Sequence, residues 1–205
     1  MTSEILLDCA QSFNSIIGTQ YIIHLGRAGK HKIFRITIDK EDAHHLMGLH
    51  YLLDYPDRRN RAKIFDDILQ SKKYREHLAS SDYWNKDLET RITCTSLLSA
   101  ILDDNGTIFH YNPKRLTFYS KIKADYLIAQ ENYHLSDEVF SDIYLFIDKR
   151  SHSEDHFCKS IFPKSLRDYT HNQTIWHLLY KEKISPDGTS TILFKHLNYD
   201  PNDSN

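Results

Sequence analysis

Histidines concentrate in one short segment of the chain, residues 44–50 with the sequence HHLMGLH. An imidazole titrates near neutral pH, so a histidine beside an apolar stripe is suited to general acid–base catalysis. His45 and Leu49 are four residues apart and share a helix face, and Gly48 indicates a close approach to a strand or a ligand. The other histidine spacings, i, i+5 and i, i+6, do not direct two rings at one metal ion. The segment therefore predicts a catalytic His45 and no metal site; the alternative is a histidine that only packs and donates one hydrogen bond.

A polar loop and the strand-like segment after it form a second group of candidate residues. Thr170 and Gln173 are suited to donating hydrogen bonds to a phosphate, and Lys181 is suited to holding its charge. The alternative is an edge strand with solvated lysines. Strand alternation predicts two faces, one with Trp176, Leu178 and Tyr180 and the other with His177, Leu179 and Lys181.

Cations interleaved with aromatic side chains form a third candidate surface. RNA suits such a surface because bases stack on aromatic rings and phosphates pair with cations. Tyr119 is predicted to share a strand face with Lys121. The alternative is an ordinary solvated face. The cations fall on one predicted helix and around one predicted strand: Arg58, Arg59, Arg61, Lys63, Lys72, Lys73 and Arg75, and Lys114, Arg115, Lys121 and Lys123.

The elements that position these residues follow from the spacing of apolar side chains. Helices are predicted at 3–17, 41–54, 58–77 and 86–103. Asp39 or Asp42 is expected to cap the second helix, whose buried stripe is predicted as Leu46, Leu49 and Leu53. A hairpin is predicted over 19–39 with its turn at Ala28-Gly29, and further strands at 107–112, 116–130, 142–149, 174–184 and 189–197. Helices in the first half and strands in the second indicate an α+β fold.

Composition and absent motifs exclude several classes of protein. The 26 Lys and Arg against 28 Asp and Glu give a net charge of −2, so no overall basic signal for nucleic acid exists. No P-loop, GxGxxG, HExxH or GxSxG motif is present, and no apolar run is long enough for a membrane helix. The three cysteines are far apart, which argues against a disulfide framework and favours a reducing, cytoplasmic location. We expect one domain over 1–200, with 58–104 as a candidate helical insertion and 201–205 as a frayed tail.

Two segments together resemble a known family. They are HHLMGLHYL, after the hairpin, and SIFP…DYTHNQTIWHLLYKEKI, near the C-terminus, and the strand IYLFIDKR fits the same pattern. They are similar to the fourth group of phage-associated nucleases related to barnase, EndoU, colicin and RelE toxins, over about residues 20–185. The resemblance implies an α+β fold whose antiparallel sheet carries the active face. It also implies a ribonuclease that needs neither metal nor cofactor, encoded on prophages or mobile elements.

The resemblance extends to individual positions. In the helix it falls on His45, Leu46, Gly48 and Leu49. Near the C-terminus it falls on Asp168, Tyr169, Thr170, Gln173, Leu179, Tyr180, Lys181 and Lys183. The extra histidines at 44 and 171 leave open which imidazole is catalytic. We expect catalysis by His45, Thr170, Gln173 and Lys181, and RNA binding by Arg35, Tyr119, Lys121, Tyr169 and Lys183.

The function expected from these features is that of a toxin or effector ribonuclease. A base removes the proton of the 2′-hydroxyl, an acid protonates the leaving 5′-oxygen, and cations hold the developing charge. Histidine, lysine and tyrosine can fill these roles without a metal ion. The expected partners are RNA and an antitoxin or immunity protein, and no membrane. The alternatives are a non-catalytic module that binds nucleic acid or protein, and an inhibitor of a host enzyme that acts through acidic residues.

Overall fold

The computed structural model describes residues 2–55, 60–136 and 139–202. The helices are α1 (Thr2–Asn14), α2 (Asp42–Leu46), α3 (Arg61–Gln70), α4 (Lys72–Ala79), α5 (Lys86–Ser96) and α6 (Leu98–Asp103). The strands are β1 (Gln20–Arg27), β2 (Lys30–Thr37), β3 (Thr107–His110), β4 (Tyr126–Ser136), β5 (Val139–Lys149), β6 (His156–Pro163), β7 (Thr174–Ile184) and β8 (Ser190–Lys195). Short 3-10 turns span Leu49–Tyr51 and Pro113–Arg115. The expected α+β class is confirmed.

All eight strands belong to one sheet, in the order β1-β2-β6-β5-β4-β3-β7-β8. Neighbouring strands run antiparallel except β2 and β6, which meet in parallel at the pair Ile36 and His156. β1 also pairs with β7, so the sheet closes on itself. The sheet is therefore mixed, and beyond the β2–β6 pair the edge of β6 packs against α2 and α5.

The predicted hairpin supplies the inner face of the sheet. Tyr21, Ile23 and Leu25 alternate along β1 and are buried, and Ile36 on β2 is buried beside them. Helices α1, α3, α4 and α5 pack around the same core. All three cysteines, Cys9, Cys94 and Cys158, are buried and unbonded.

Several predicted boundaries are wrong, each for a local reason. Gly48 has φ of +75°, so the helix predicted at 41–54 ends at Leu46 and Leu53 is exposed. Neither predicted aspartate caps that helix, because the carboxylate of Asp42 accepts from the Asp39 N–H and pairs with Arg150.

The two longer predicted helices are each divided in the structure. The Ser71 hydroxyl accepts a hydrogen bond from the Tyr74 N–H and divides the helix predicted at 58–77. The helix predicted at 86–103 divides at Leu97. Arg58, Arg59 and residues 203–205 lie outside the described residues.

The strand predicted at 116–130 begins only at Tyr126. Leu116, Phe118 and Ile122 alternate as in a strand, but they pack against the aromatic cluster on the outer face of β4 and β5, with Phe118 in contact with Tyr169. Segment 111–125 is therefore an irregular cover, with a 3-10 turn and bends, and has no strand ladder of its own. Strand β6 (His156–Pro163) was not predicted.

Within the described residues, no helix is both long and apolar enough to cross a membrane. The predicted division into one domain with an insertion at 58–104 stays a prediction.

Candidate active site at the edge of strand β6

The turn after α2 brings two histidines of segment 44–50 into contact. Gly48 adopts the left-handed conformation that favours glycine, and the chain reverses into the 3-10 turn at Leu49–Tyr51. Nδ1 of His45 and Nδ1 of His50 then lie 3.1 Å apart. Whichever ring carries its proton on Nδ1 donates it to the other. Both rings are half-buried.

Gly48 also permits a close approach, but to side chains of helix α5 rather than to the predicted strand or ligand. A Cβ on Gly48 would lie 2.6 Å from Cδ of Arg91, a side chain of α5. The Arg91 guanidinium lies 5.4 Å from the Tyr51 ring centre and 5.6 Å from that of Phe162. It donates a hydrogen bond to Oγ of Ser160, at 3.1 Å. Arg91 is therefore held between α5, the turn and β6, directly beside the histidine pair.

The charges around the histidine pair are positive. Burial lowers the pKa of His45 first, and Arg61, Lys159 and Arg91 lower it further. Burial also lowers the pKa of His50 to about 3, with His45 and Arg91 adding to the effect. These imidazoles are therefore neutral at pH 7 and sit among cations. Lys159 forms an ion pair with Asp148. No carboxylate among the described residues pairs with Arg91, so the charge of the Arg91 guanidinium is available to an anion.

His44 lies deeper than its neighbours. It is 4% exposed, and among the described residues its buried Nδ1 has no hydrogen-bond partner. Burial, followed by Arg61 and His45, lowers its pKa to about 4. His44 is therefore a neutral side chain buried behind the histidine pair, with its ring centre 6.5 Å from that of His50.

A cavity of about 920 Å³ opens beside the pair. The Tyr51 ring joins the two features, because its centre lies 4.0 Å from that of His50 and the ring also lines the cavity. Arg91, Phe162 and Pro163 line the same cavity, so the Phe-Pro step of the second motif meets the histidine segment there. Three exposed polar residues, Asp82, Asn85 and Asp87, also line the cavity, and we refer to them as its rim.

The loop residues of the second motif are engaged in holding the loop itself. The Thr170 hydroxyl donates to Oδ1 of Asp168 at 2.6 Å. Oε1 of Gln173 accepts the Asn112 N–H at 2.7 Å, and its Nε2 donates to the Asn112 carbonyl at 3.2 Å. Thr170 and Gln173 therefore fix the loop and join it to segment 111–125. Their predicted catalytic role stays a prediction.

Tyr169 belongs to the aromatic cluster on the outer face of the sheet. It is 8% exposed, and its ring centre lies 5.5 Å from that of Phe162. Phe162 in turn contacts Arg91. Tyr169 therefore supports the cavity wall from behind, rather than presenting a free ring for RNA.

The predicted faces of β7 are wrong beyond Leu178. The pairing of β7 with β1 shifts by one residue, with His24 opposite Tyr180 and Leu25 opposite Leu178. Leu179 is the extra residue of this bulge, and a bulge reverses the alternation after it. Lys181 consequently shares the inner face with Leu178, and Tyr180 lies on the outer face.

Lys181 is buried at the end of α6, away from the histidine pair. It is 3% exposed, and its ammonium donates to the carbonyl oxygens of Leu102, at 3.0 Å, and Asp104. Burial lowers its pKa to about 8, and Asp104 and Asp103 oppose that shift. Lys183 binds the carboxylate of Asp103 at 2.8 Å. Both lysines thus tie β7 to the end of α6, and the structure does not bring them to His45.

The remaining predicted RNA-binding residues are dispersed. Arg35 lies on the outer face of β2, half-exposed and 3.9 Å from Asp155. Tyr119 is 79% exposed and Lys121 is exposed, both in segment 111–125. Among the described residues, none of these three contacts the histidine pair.

A second histidine pair, which sequence reasoning missed, lies on the outer face of the sheet. Nδ1 of His24 lies 2.7 Å from the Tyr199 hydroxyl, which lies 2.7 Å from Nε2 of His31. The hairpin register could have revealed the pair, because His31 lies opposite Gly26 and therefore on the same face as His24. Arg91 was also missed, and no local pattern in the sequence marks it; its partner Ser160 begins the SIFP motif but was given no role.

Among the described residues, no group of three or more His, Cys, Asp or Glu side chains is arranged to hold a metal ion.

The comparison with family models matches residues 5–195, nearly the whole chain. No curated protein and no solved structure matches. The matched model is described as phage-Barnase-EndoU-ColicinE5/D-RelE like nuclease4, and its span includes both histidine pairs, Arg91 and strand β6. This chain therefore belongs to that family of phage-associated nucleases.

Proposed function

We propose that this nuclease cleaves RNA by attack of the 2′-hydroxyl, without a metal ion, at the edge of β6. The observation that carries the proposal is the contact between Nδ1 of His45 and Nδ1 of His50 beside Arg91. An acid and a base are the two groups that 2′-hydroxyl attack requires, and two imidazoles can supply both. DNA lacks that hydroxyl, so the same groups favour RNA as the substrate.

The proton path follows from the orientation of the two rings. The Nδ1 atoms face each other, so the two Nε2 atoms point away from the contact. In the productive tautomer, His45 Nδ1–H donates to His50 Nδ1, and His50 carries its proton on Nε2. His45 Nε2 takes the proton from the 2′-hydroxyl as the 2′-oxygen–phosphorus bond forms. His45 passes its Nδ1 proton to His50, and His50 Nε2 delivers a proton to the 5′-oxygen as the phosphorus–5′-oxygen bond breaks. The histidine pair therefore relays one proton without net gain.

Arg91 holds the phosphate in this proposal. A guanidinium placed in advance stabilises charge that develops in the transition state. The bound phosphate also acts on the histidines, since its negative charge opposes the cations that lower their pKa. His45 and His50 are thus neutral and ready to accept a proton in the free protein, and hold it more readily once RNA is bound.

We further propose that the protein acts as a toxin or effector in the cytoplasm and is controlled by an antitoxin or immunity protein. This proposal rests on the proposed activity and on the phage-associated family, because an unrestrained ribonuclease would damage the cell that makes it. A clone of the wild type should then grow poorly on induction, and His45→Ala should relieve the effect.

Incubation of the purified protein with mixed RNA in EDTA tests the proposal. We expect RNA to be cleaved and a DNA of the same sequence to remain intact. His171→Ala is the matched control for His45→Ala, because His171 is an exposed loop histidine. Cleavage that EDTA abolishes and zinc or manganese restores would contradict the metal-free mechanism.

The net charge of −2 supports a second candidate, a non-catalytic module that binds nucleic acid or protein. That function would be favoured if the protein bound RNA without cleaving it, and if a well-folded His45→Ala variant bound RNA equally well.

A further inference from the structure

We propose that the cavity beside the histidine pair is a nucleobase site that takes guanine in preference to uracil. This inference rests on the proposed function, since it places the base next to the phosphate that Arg91 would hold. The cavity, its aromatic walls and its acidic rim each contribute one step of the argument.

The walls suit a flat aromatic ligand. Tyr51 is 52% exposed although it is a large aromatic side chain, and Phe162 lines the same cavity. The Arg91 guanidinium lies 5.4 Å from the first ring centre and 5.6 Å from the second. Unstacked RNA bases are held by stacking on aromatic rings and guanidinium planes. At about 920 Å³, the cavity has room for a two-ring base with its ribose.

The cavity shares groups with the histidine pair. Tyr51 lies 4.0 Å from His50, centre to centre, and Arg91 acts on the pKa of both His45 and His50. A base seated against Tyr51 would therefore have its own phosphate near Arg91 and the imidazoles. The cavity is placed to select which nucleotide presents its phosphate for cleavage.

The rim favours a base with hydrogen-bond donors on its edge. Asp82 and Asp87 are exposed at the rim, and no described cation forms an ion pair with either carboxylate. Asn85 is already occupied, because its Oδ1 accepts the Leu88 N–H and its Nδ2 donates to the Tyr83 carbonyl. A carboxylate accepts two adjacent donors well, and guanine presents N1–H beside its exocyclic amine. Uracil offers only one N–H, which lies between two carbonyl oxygens. A carboxylate that approaches this N–H is repelled by both of those oxygens.

Calorimetric binding of guanosine 3′-monophosphate, uridine 3′-monophosphate and inorganic phosphate tests this site without any cleavage. We expect the guanosine nucleotide to bind about tenfold or more tightly than either of the others. Tyr51→Ala should remove most of that advantage, and because the Tyr51 ring also flanks Arg91, phosphate binding is measured in the same variant and should fall by less than binding of the guanosine nucleotide. Asp87→Asn and Asp82→Asn should narrow the difference between guanosine and uridine nucleotides, and both residues are exposed, so these variants should fold.

Equal affinity for the guanosine and uridine nucleotides would overturn the inference, as would equal affinity for the guanosine nucleotide and phosphate. The inference would also be overturned if the Asp82 and Asp87 variants distinguished guanosine from uridine nucleotides as well as the wild type does. The proposed function fails separately: a protein that discriminates the nucleotides but does not cleave RNA in EDTA has the base site without the chemistry. A protein that cleaves RNA equally after all four bases and does not discriminate the nucleotides has the chemistry without the base site.

Discussion

The two histidine pairs of this protein differ in how the rings are joined and in what surrounds them. His45 and His50 touch directly and are surrounded by cations, and they adjoin a cavity. His24 and His31 are joined through the Tyr199 hydroxyl, and the charge of Glu182 opposes the lowering of the His24 pKa by burial and by His31. A phosphate would therefore be attracted to the first pair, whereas the second offers it no comparable set of cations.

This difference shows that residue type alone does not define an active site. Imidazole pairs occur on both the β6 edge and the outer face of β1 and β2, but among the described residues only the first lies beside a guanidinium without a carboxylate partner and an open cavity. At the second pair His24 is 6% exposed, covered by its ring neighbours Tyr180 and Tyr199. Charge and the adjoining cavity therefore favour the first pair for catalysis.

The sharpest test of this comparison removes each pair in turn. His45→Ala and His50→Ala should each lower single-turnover cleavage by about 10²–10⁴-fold, because each removes one proton-transfer group. The double variant should lose little more than either single one, since the two rings act as one relay. His24→Ala and His31→Ala should leave the rate unchanged. A large loss in the second set with none in the first would transfer the active site to the outer face.

Arginines near the two regions provide the next test. Arg91→Gln should lower kcat/KM by about 10²–10³-fold, the usual effect of losing one group that stabilises transition-state charge. Arg35→Gln is the matched control, because Arg35 is a half-exposed cation on the outer face with a carboxylate 3.9 Å away. Measuring both at low and high salt separates a fixed phosphate contact from screened attraction. Equal losses in the two variants would contradict a special role for Arg91.

Lys181 belongs to neither region, and its replacement should affect folding rather than cleavage. Lys181→Met keeps the apolar stem but leaves the carbonyls of Leu102 and Asp104 without their donor. We expect the free energy of unfolding to fall by about 1–3 kcal/mol in denaturant titrations. Cleavage per folded molecule should not change. A loss of cleavage by orders of magnitude in a stable variant would instead support the catalytic role predicted from sequence.

The smallest expected effect is on the pH dependence of stability. The pKa of His50 is about 3 and that of His44 about 4 in the folded protein, below the ordinary 6.5. Below pH 6.5 the unfolded chain takes up protons that the folded chain does not, so the free energy of unfolding should fall from pH 6.5 toward pH 4. His50→Gln should make the free energy of unfolding depend less steeply on pH, whereas His171→Gln, in an exposed loop, should not.

Added phosphate should reduce the loss of stability of the wild type at low pH, because a bound anion raises the pKa values of His50 and His44. An unchanged slope in His50→Gln would contradict the assignment.

Local pattern predicted much of the architecture. The hairpin of β1 and β2 and its buried residues Tyr21 and Ile23 followed from alternation and the turn at Ala28-Gly29. Segment 111–125 shows where such patterns fail, since alternation specifies which side chains face inward but not whether a neighbouring strand is present. The bulge at Leu179 was equally hidden, because one extra residue in a ladder depends on the partner strand. For that reason Lys181 was assigned to the wrong face.

For the candidate site, the sequence by itself determined the histidines, the glycine that reverses the chain between them, and the family. Gly48, with its positive φ, and the contact between His45 and His50 lie within six consecutive residues. Only the tertiary structure decided that Arg91 and Ser160, sixty-nine positions apart in the chain, meet beside them. Such a contact depends on how α5 packs against the open edge of β6, which no local spacing encodes. The same packing leaves Lys181 at the end of α6, because the bulge in β7 turns its side chain inward to satisfy the carbonyls that end that helix.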